Sequence, residues 1–437
     1  MNRHLKTLTL GLVLLMPWFL LHARAGAELG IDLIGACFLA RCTAARSWGW
    51  LRQDWVVIGL AWWGWLVACT AWNLSLPGQD GAALLQALFV LRFLLFVAAM
   101  EHWTLADPSA RRWFFVSLVA STLYVAAQTL LQFATGHNLY GVPRSEDGEL
   151  TGPFSKPRAA PSFVRMLFPA LLPPADALLA RPGWLPRLSG AALFAGGIAV
   201  VVLIGQRMPV LLAVLGLLAT ALLLPRLRGP AAVAIVAGGA LIAASAVVSP
   251  PVFYRLVTKF SRQVGDFADS PYGQIAERAV AIAEQHPLTG RGYDGFRTGC
   301  PEPRYFQGWH LPGAAALHDG GGAAVCVTHP HNHYLQALTD AGLPGLLLFG
   351  ARVGTWLWRL GRGLLRAPDP LRVGLFIAAL LQEWPVASTS PLISLPIGGW
   401  FFLLLGFGLA EARSAAAVPR PVLAQDVPDR LHDPLHT

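Results

Sequence analysis

Charged side chains are scarce in this chain of 437 residues, because Asp, Glu, Lys and Arg together make up only 13%. Average protein sequences carry about 25% charged residues, so a soluble chain of this length could not cover its surface with so few. Hydrophobic residues make up 55% of the chain, and several apolar runs are long enough to cross a hydrocarbon core of about 30 Å. The composition excludes an ordinary soluble protein and predicts an all-α polytopic membrane protein.

Acidic residues are scarcer than basic ones, with 24 Asp and Glu against 33 Lys and Arg. In a soluble protein this excess could indicate a nucleic-acid partner. Here the basic residues are scattered between apolar runs, as in the cytoplasmic loops of membrane proteins, and no nucleic acid is expected to bind. The first apolar run lacks a clean cleavage site, which favours a retained first helix over a signal peptide.

The apolar runs predict about twelve membrane spans. They lie near residues 6–22, 28–42, 55–73, 82–101, 113–133, 162–180, 188–205, 208–225, 230–249, 335–357, 371–388 and 393–411. Arginines gather in the short loops on one side, near 41–52, 111–112, 181–187, 226–228 and 359–372, whereas the loop at 73–81 has no Lys or Arg. Both termini are therefore expected in the cytoplasm.

Two segments on the outer side are too long to be simple connections. A small loop lies near 134–161 and a large loop at 250–333. In the large loop, residues 272–285 have apolar residues at helical spacing, which predicts an amphipathic helix on or near the membrane. The chain thus divides into nine spans within 1–249, the large loop at 250–333, three spans within 334–411, and a tail at 412–437 that is expected to be disordered.

Cysteine is also rare, with five in the chain. Cys37, Cys42 and Cys69 fall in or beside spans, whereas Cys300 and Cys326 both lie in the large loop. If that loop lies in the periplasm, these two could form a structural disulfide. Two unrelated free thiols are the alternative, and the sequence does not decide between them.

The densest group of reactive side chains is the segment THPHNHY at 328–334. Its alternating histidines could bind zinc, but residues two apart do not share a helix face. A neutral histidine near the membrane surface could instead act as a general base on a hydroxyl group. A third interpretation places these side chains in the lipid headgroup layer without a chemical role. The residue types alone leave all three open.

The residues that follow match a known signature. His331 and Asn332, then nine residues, then Gly342 and Gly345 fit H-[NSQ]-x9-G-x-x-[GTY]. This signature resembles the bacterial O-antigen ligase family, whose superfamily includes O-antigen polymerases and protein O-oligosaccharyltransferases. The predicted topology, with inside termini and a large outer loop just before the signature, also resembles that family. The resemblance implies a GT-C-like, inverting glycosyltransferase without a metal or other cofactor.

The resemblance also implies the substrates and the location. The donor would be O-antigen polysaccharide on undecaprenyl diphosphate, and the acceptor a sugar hydroxyl of lipid A-core. The enzyme would lie among the lipids of the bacterial inner membrane, with its active site facing the periplasm. His331 would be the base, and Gly342 and Gly345 would be structural. Cations would be needed to stabilise the departing diphosphate, a task that suits arginine.

Two arginines are expected to hold the diphosphate. Arg207 lies in the short junction GQRMP between two apolar spans, where the family carries an arginine; a snorkelling side chain is the alternative. Arg291 lies in PLTGRGY, a segment that also recurs in the family, and its glycines would let backbone N–H groups approach a phosphate. A plain glycine-rich turn is the alternative there.

Other polar residues near the outer surface are further substrate-binding candidates. Arg165 and Glu383 are ionisable groups inside predicted spans, where such groups are costly and suggest function. Arg278, on the amphipathic helix, could face either the diphosphate or a lipid headgroup, and Asp340 could orient His331 or cap nearby backbone. The full set is Lys156, Arg158, Arg165, Arg278, His329, Asn332 and Glu383.

The sequence leaves functions other than that of an O-antigen ligase open. An O-antigen polymerase would use the same donor with a carrier-linked acceptor, and a protein O-oligosaccharyltransferase would use a protein acceptor. A lipid or solute transporter belongs to a different class. Transporters often show repeated halves with broken helices near the membrane midplane. The sequence shows no convincing repeat and places its polar candidates at the outer surface, which favours an enzyme.

Overall fold

The computed structural model describes residues 2–309, 321–387, 389 and 391–417. The regular structure in these residues is helical, apart from one isolated bridge between His137 and Pro143. The tail is predicted to begin at residue 412, but residues 412–417 continue the last helix. From residue 418 onwards the tail lies outside the described residues, so its expected disorder there stays a prediction.

A helix lies at each of the predicted spans. In chain order the helices are Asn2–His22, Arg24–Ala45, Asp54–Trp72, Gly81–Thr104, Pro108–Thr135, Ala159–Leu179, Trp184–Ile204, Arg207–Leu223, Arg228–Val248, His333–Gly361, Pro370–Gln382 and Leu395–Ala417. Local chemistry sets several of their starts. Asp107 and Asp369, for example, each accept a backbone N–H at a helix start that is followed by proline.

Eight helices among the described residues are long and apolar enough to cross a membrane. The chain is therefore a helical, polytopic membrane protein. Arg207–Leu223 and Pro370–Gln382 are apolar but shorter, and the helices that begin at Arg24 and His333 do not meet the same criterion. The count of about twelve crossings, the cytoplasmic termini and the GT-C-like class accordingly stay predictions.

Two helices differ from the predicted spans near the large loop. The helix His333–Gly361 is interrupted at Gly342, where φ is 67° and ψ is −167°. The span predicted at 371–388 ends as a helix at Gln382, shortly before Pro385, whose ring disfavours helix in the residue before it. Thirteen residues rise about 20 Å, which is less than a hydrocarbon core of about 30 Å. The described residues that follow, 383–387, 389 and 391–394, form no regular helix, and they are called the 383–394 connection below.

Small residues let the helices approach closely. A Cβ atom at Gly216 would lie 2.2 Å from the ring of Phe168, and one at Gly374 would lie 2.6 Å from the backbone of Pro169. Such contacts bring the helix Ala159–Leu179 against two neighbours, as small residues do in membrane bundles. This helix is one wall of the site described below.

Both long loops lie at one end of the bundle, called the loop end. Arg255 of the large loop pairs with Asp147 and Glu149 of the small loop. The large loop contains the helix Pro271–Gln285, at the position where an amphipathic helix is predicted. Its apolar face packs on Phe296 and Tyr305 of the same loop. The apolar face expected on the membrane therefore covers a small core within the loop instead.

Candidate functional site

A cleft of about 930 Å³ opens at the loop end, between helix ends and both long loops. This volume is near the upper end of the range of about 300–1,000 Å³ for small-molecule sites. Apolar side chains such as Val164, Leu211 and Leu381 line the part formed by the membrane helices. The ionisable and aromatic polar residues on its walls are Glu149, Arg165, Arg207, Arg255, Tyr272, His331 and Tyr334.

His331 lies on the cleft wall in the turn just before the helix His333–Gly361. Its φ is 54°, in the left-handed region that residues other than glycine seldom adopt. The backbone N–H of Thr389 donates to the His331 carbonyl at 2.8 Å. The 383–394 connection thus helps to hold a strained turn at the cleft, as surrounding structure does at many functional sites.

Asn332 explains why the turn ends where it does. Its Oδ1 accepts the backbone N–H groups of Tyr334 and Leu335, at 2.9 and 3.1 Å, and so caps the helix. Its Nδ2 donates to the Pro385 carbonyl at 2.6 Å. Although Asn332 lines the cleft, both ends of its amide are occupied by the protein. The structure favours a role in fixing the turn over the expected one in binding substrate.

The His331 imidazole has no hydrogen bond to any protein group in the described part of the chain. Its ring lies 5.5 Å from that of Tyr272 and 4.3 Å from that of His329. Burial lowers the pKa of His331 below its ordinary value. The ring is therefore neutral at pH 7, with a lone pair available to accept a proton.

His329 lies behind His331 rather than on the cleft wall. Its Nδ1 is 3.0 Å from the Thr328 hydroxyl. Burial, followed by the positive charge that His331 and His333 can carry, lowers the pKa of His329 to about 4. His329 is consequently the weaker base of the two.

Arg207 and Arg165 bring positive charge to the cleft, as predicted for residues that would hold a diphosphate. Arg207 is half-buried at the first residue of its helix and bonds to the Gln263 side chain. Arg165 is buried and bonds to the Gln382 side chain and the Pro161 carbonyl. Neither guanidinium makes an ion pair within the described ranges. Both could therefore contact an anion in the cleft without first breaking a salt bridge.

Arg255 is a third arginine on the cleft wall, and the sequence did not single it out. It bonds to the carboxylate of Glu149, and it lies 3.5 Å from that of Asp147. Gln206, beside Arg207, donates to Glu149 at 3.2 Å and to the Pro157 carbonyl at 2.9 Å. The Arg255 pairs connect the two loops, and the Gln206 bonds connect the small loop to the start of the helix Arg207–Leu223. Residues in long loops follow no helix or strand periodicity, so the sequence could not predict this pairing.

Lys156 and Arg158 flank Pro157, which lines the cleft. Both side chains are exposed. Neither makes a hydrogen bond or an ion pair to any residue that the structure describes. They lie beside the cleft, so their expected role in substrate binding stays a prediction.

The glycines of the signature let the large loop dock against the helix break. Gly342 has a φ of 67°, and a Cβ there would lie 2.4 Å from the Leu288 carbonyl oxygen. The N–H of Leu343 donates to the Pro287 carbonyl at 2.8 Å. A Cβ at Gly345 would lie 2.2 Å from that of Ala341. Both glycines therefore have a structural reason for their position.

Arg291 is not part of the cleft, contrary to its expected role on the diphosphate. Its side chain is fully buried and lies 2.5 Å from the Glu302 carboxylate. It also donates to the Tyr305 hydroxyl at 2.9 Å and to the Pro77 carbonyl at 3.2 Å. Its backbone N–H donates to the Thr339 carbonyl at 2.8 Å, so this N–H is not free to meet a phosphate.

The glycine-rich segment around Arg291 instead approaches the helix His333–Gly361. A Cβ at Gly290 would lie 2.5 Å from the Thr339 carbonyl oxygen. The N–H of Gly292 donates to the Asp340 carbonyl at 3.0 Å, and the Asp340 carboxylate accepts the N–H of Gly295 at 2.8 Å. Asp340 thus caps loop backbone, one of the two roles the sequence allowed.

Arg278 is likewise buried away from the cleft. It donates to the Cys300 carbonyl at 2.8 Å and lies over the ring of Phe306, 3.9 Å from its centroid. The structure joins Cys300 and Cys326 by a disulfide, and Arg278 lies 3.1 Å from the Cys326 sulfur. These contacts place Arg278 in the framework of the large loop, and not on a diphosphate or a lipid headgroup.

Glu383 lies beneath the cleft wall rather than on it, and it is buried. Its carboxylate is 3.0 Å from Nδ1 of His333, which is buried as well. The sequence offered Glu383 only as a substrate contact and His333 only as one of the three histidines that could supply the base. The pairing joins residues fifty positions apart, so their spacing could not predict it.

A metal site is the remaining interpretation of the three alternating histidines. The described residues contain no group of three or more His, Cys, Asp and Glu side chains that could hold a metal ion. Within the histidine segment, His333 faces Glu383, whereas His331 faces the cleft. The side chains of His331 and His333 thus point to different neighbours.

The comparison with protein families bears on the same region. Residues 191–350 match the family model described as O-Antigen ligase. The matched segment includes Arg207, Arg291, His331, Gly342 and Gly345. It confirms the resemblance inferred from the signature and supports an O-antigen ligase or polymerase type of function in general. No curated protein matches the chain.

Proposed function

We propose that this chain is an O-antigen ligase. It transfers O-antigen polysaccharide from undecaprenyl diphosphate to a sugar hydroxyl of lipid A-core, at the periplasmic face of the inner membrane. The observation that carries the proposal is that His331, a neutral imidazole with no hydrogen-bond partner in the described protein, shares a cleft with Arg207. Both residues lie within the segment that matches the family.

The acceptor hydroxyl is activated by His331. A nitrogen of the neutral ring accepts the hydroxyl proton as the oxygen attacks the anomeric carbon of the donor. The new glycosidic C–O bond forms on the face opposite the diphosphate, so the anomeric configuration inverts. Tyr272, whose ring meets that of His331 edge-on, limits the orientations of the imidazole.

The leaving group takes the electron pair of the broken anomeric C–O bond and departs as undecaprenyl diphosphate. Negative charge grows on the bridging oxygen during this step, and cations placed there lower the barrier. Arg207 supplies a planar guanidinium that can bind two phosphate oxygens. It exchanges its bond to the neutral Gln263 amide for stronger bonds to the anion.

The part of the cleft formed by membrane helices suits a lipid-linked donor. Apolar side chains from several helices, among them Val164, Leu212 and Ile397, continue the wall below the polar residues. The diphosphate then lies near Arg207 while the first isoprene units contact this apolar wall. Transfer proceeds without a metal ion, because base and cations are supplied by side chains.

The test is a lipopolysaccharide gel from a bacterial strain that lacks this protein, complemented with wild type or with His331→Ala. A blot for carrier-linked polymer accompanies it. The proposal predicts bare lipid A-core and accumulated carrier-linked polymer in the null strain and in the variant. Core that carries a single repeat would instead identify a polymerase, because attachment would be intact and elongation would have failed.

A further inference from the structure

Hydrogen bonds attach the turn that carries His331 to the 383–394 connection, and this attachment is called the fastening below. The His331 carbonyl accepts the N–H of Thr389 at 2.8 Å, and the amide of Asn332 donates to Pro385 at 2.6 Å. The Tyr334 hydroxyl donates to the Glu383 carbonyl at 2.9 Å. These three bonds all use backbone atoms of the connection.

The fourth bond is different, because it joins two buried side chains. Nδ1 of His333 lies 3.0 Å from the Glu383 carboxylate, and each residue is at most 4% exposed. This bond depends on a side chain of the connection, whereas the three bonds above use its backbone. A substitution at Glu383 therefore alters the fastening without touching the cleft wall.

The same pair continues towards a cation of the cleft. Nε2 of Gln382 lies 3.5 Å from Nε2 of His333, and the side-chain oxygen Oε1 of Gln382 accepts from Nε of Arg165. With the proton of His333 on Nδ1, donor and acceptor directions agree along the whole path. Arg165 then donates to Gln382, Gln382 to His333, and His333 to the carboxylate.

This path connects a buried positive charge to a buried negative one through two intervening side chains. A buried charge without compensation is costly, and here Arg165 and Glu383 compensate each other without direct contact. Arg165 lines the cleft, whereas Glu383 does not. The carboxylate can thus act on the cleft only through its neighbours.

We propose that Glu383 is a positioning residue, which holds the His331 turn and the Arg165 guanidinium in place through His333 and Gln382 and contacts neither substrate. The inference rests on the proposed transfer reaction, with His331 as its base. It replaces the direct substrate contact that the sequence suggested for Glu383.

Kinetics of the purified full-length protein separate the two roles. Glu383→Ala is expected to lower kcat about 10²-fold, the cost of a misplaced catalytic group, and to leave KM for the acceptor unchanged. Adding His333→Ala to this variant should lower kcat no further, because both residues act through one path. A raised KM with kcat retained, or losses that multiply in the double variant, would overturn the proposal.

Chemical labelling tests the fastening without any assay of transfer. Diethyl pyrocarbonate labels accessible imidazoles, and mass spectrometry reports the rate at His331. Glu383→Ala should label faster than wild type at this residue. The control is Glu411→Gln, which removes a carboxylate paired with Arg111 at the opposite end of the bundle and should label at the wild-type rate. Equal labelling in wild type and Glu383→Ala would contradict the fastening.

If Glu383→Ala does not fold, a more conservative variant still tests the proposal. Glu383→Gln keeps an oxygen that can accept from His333, so His331 should label at the wild-type rate and KM should not change. A KM increase in Glu383→Gln would show a substrate contact and overturn the proposal. If wild type itself transfers no glycan from the lipid diphosphate, the proposed function fails, while the labelling rates still test the fastening.

Discussion

In the cleft, Arg207 is half-buried and bonds to an uncharged amide, Gln263. In the core of the large loop, Arg291 is fully buried and lies 2.5 Å from a carboxylate, Glu302. Both arginines fit the family resemblance and both lie within its matched segment. A family position therefore does not define a role, because an arginine whose charge is already matched must lose an ion pair before it can bind a phosphate.

The neighbours of the two arginines differ as well. Around Arg207, the cleft has the His331 imidazole, which has no hydrogen bond within the described part of the protein, and a wall of apolar side chains. Around Arg291, the loop has backbone hydrogen bonds to the helix His333–Gly361, and a disulfide closes the same loop core. The first region is arranged to accept a ligand and the second to hold a loop in place.

The largest effect is expected in the cleft, at His331. His331→Ala removes the general base, and such a loss lowers the transfer rate by about 10²–10⁴-fold. The rate should be measured with purified variant and donor in detergent, and gel filtration should show an unchanged elution volume. His329→Ala is the matched control, and its loss should be much smaller. If both variants lost activity equally, His331 would not be distinguished as the base.

The next effect lies in the loop core and concerns stability. Replacing Cys300 and Cys326 by serine is expected to lower the free energy of unfolding of the large loop by about 2–4 kcal/mol, the usual range for a disulfide. Limited proteolysis of the loop, with and without the substitutions, measures this. Transfer by the protein that remains folded should persist. A variant that stayed folded but inactive would place the loop core in the reaction.

The smallest effect is a shift of the pH profile. Because burial lowers the pKa of His331, the ring stays neutral to a lower pH than a free histidine with a pKa of about 6.5. Activity should fall only as His331 becomes protonated, so the acidic limb of kcat/KM should have its midpoint below 6.5. Protonation of His329, whose pKa is about 4, lies lower still. A midpoint above 6.5 would contradict a buried base.

Much of the bundle could be predicted from the sequence, because uncharged apolar runs have few alternatives to membrane helices. The predicted spans coincide with helices even where a helix is too short or not apolar enough to count as a membrane crossing. The break at Gly342 and the early end of the helix at Gln382 were not predicted. They depend on the docking of Leu288 and on the irregular connection at Pro385, which are contacts of tertiary structure.

The site was predictable only in part. The signature pointed to His331 and the short apolar junction to Arg207, and both lie on the cleft. Arg291 and Arg278 carried equally suggestive local sequences, yet their partners, Glu302 and the carbonyl of Cys300, make them parts of the loop framework. Glu383 and His333 were not paired, because their contact exists only after the helices have packed.

The most direct test of the central claim compares Arg207→Gln and Arg291→Gln in one preparation, with transfer rate and thermal unfolding measured for each. We expect Arg207→Gln to lose transfer by about 10²–10³-fold, as when one stabilising donor is removed, and to keep the wild-type Tm. We expect Arg291→Gln to lower Tm, because Glu302 loses its buried partner, while the folded fraction still transfers. The opposite pattern, with a stable but inactive Arg291→Gln and an active Arg207→Gln, would contradict the account.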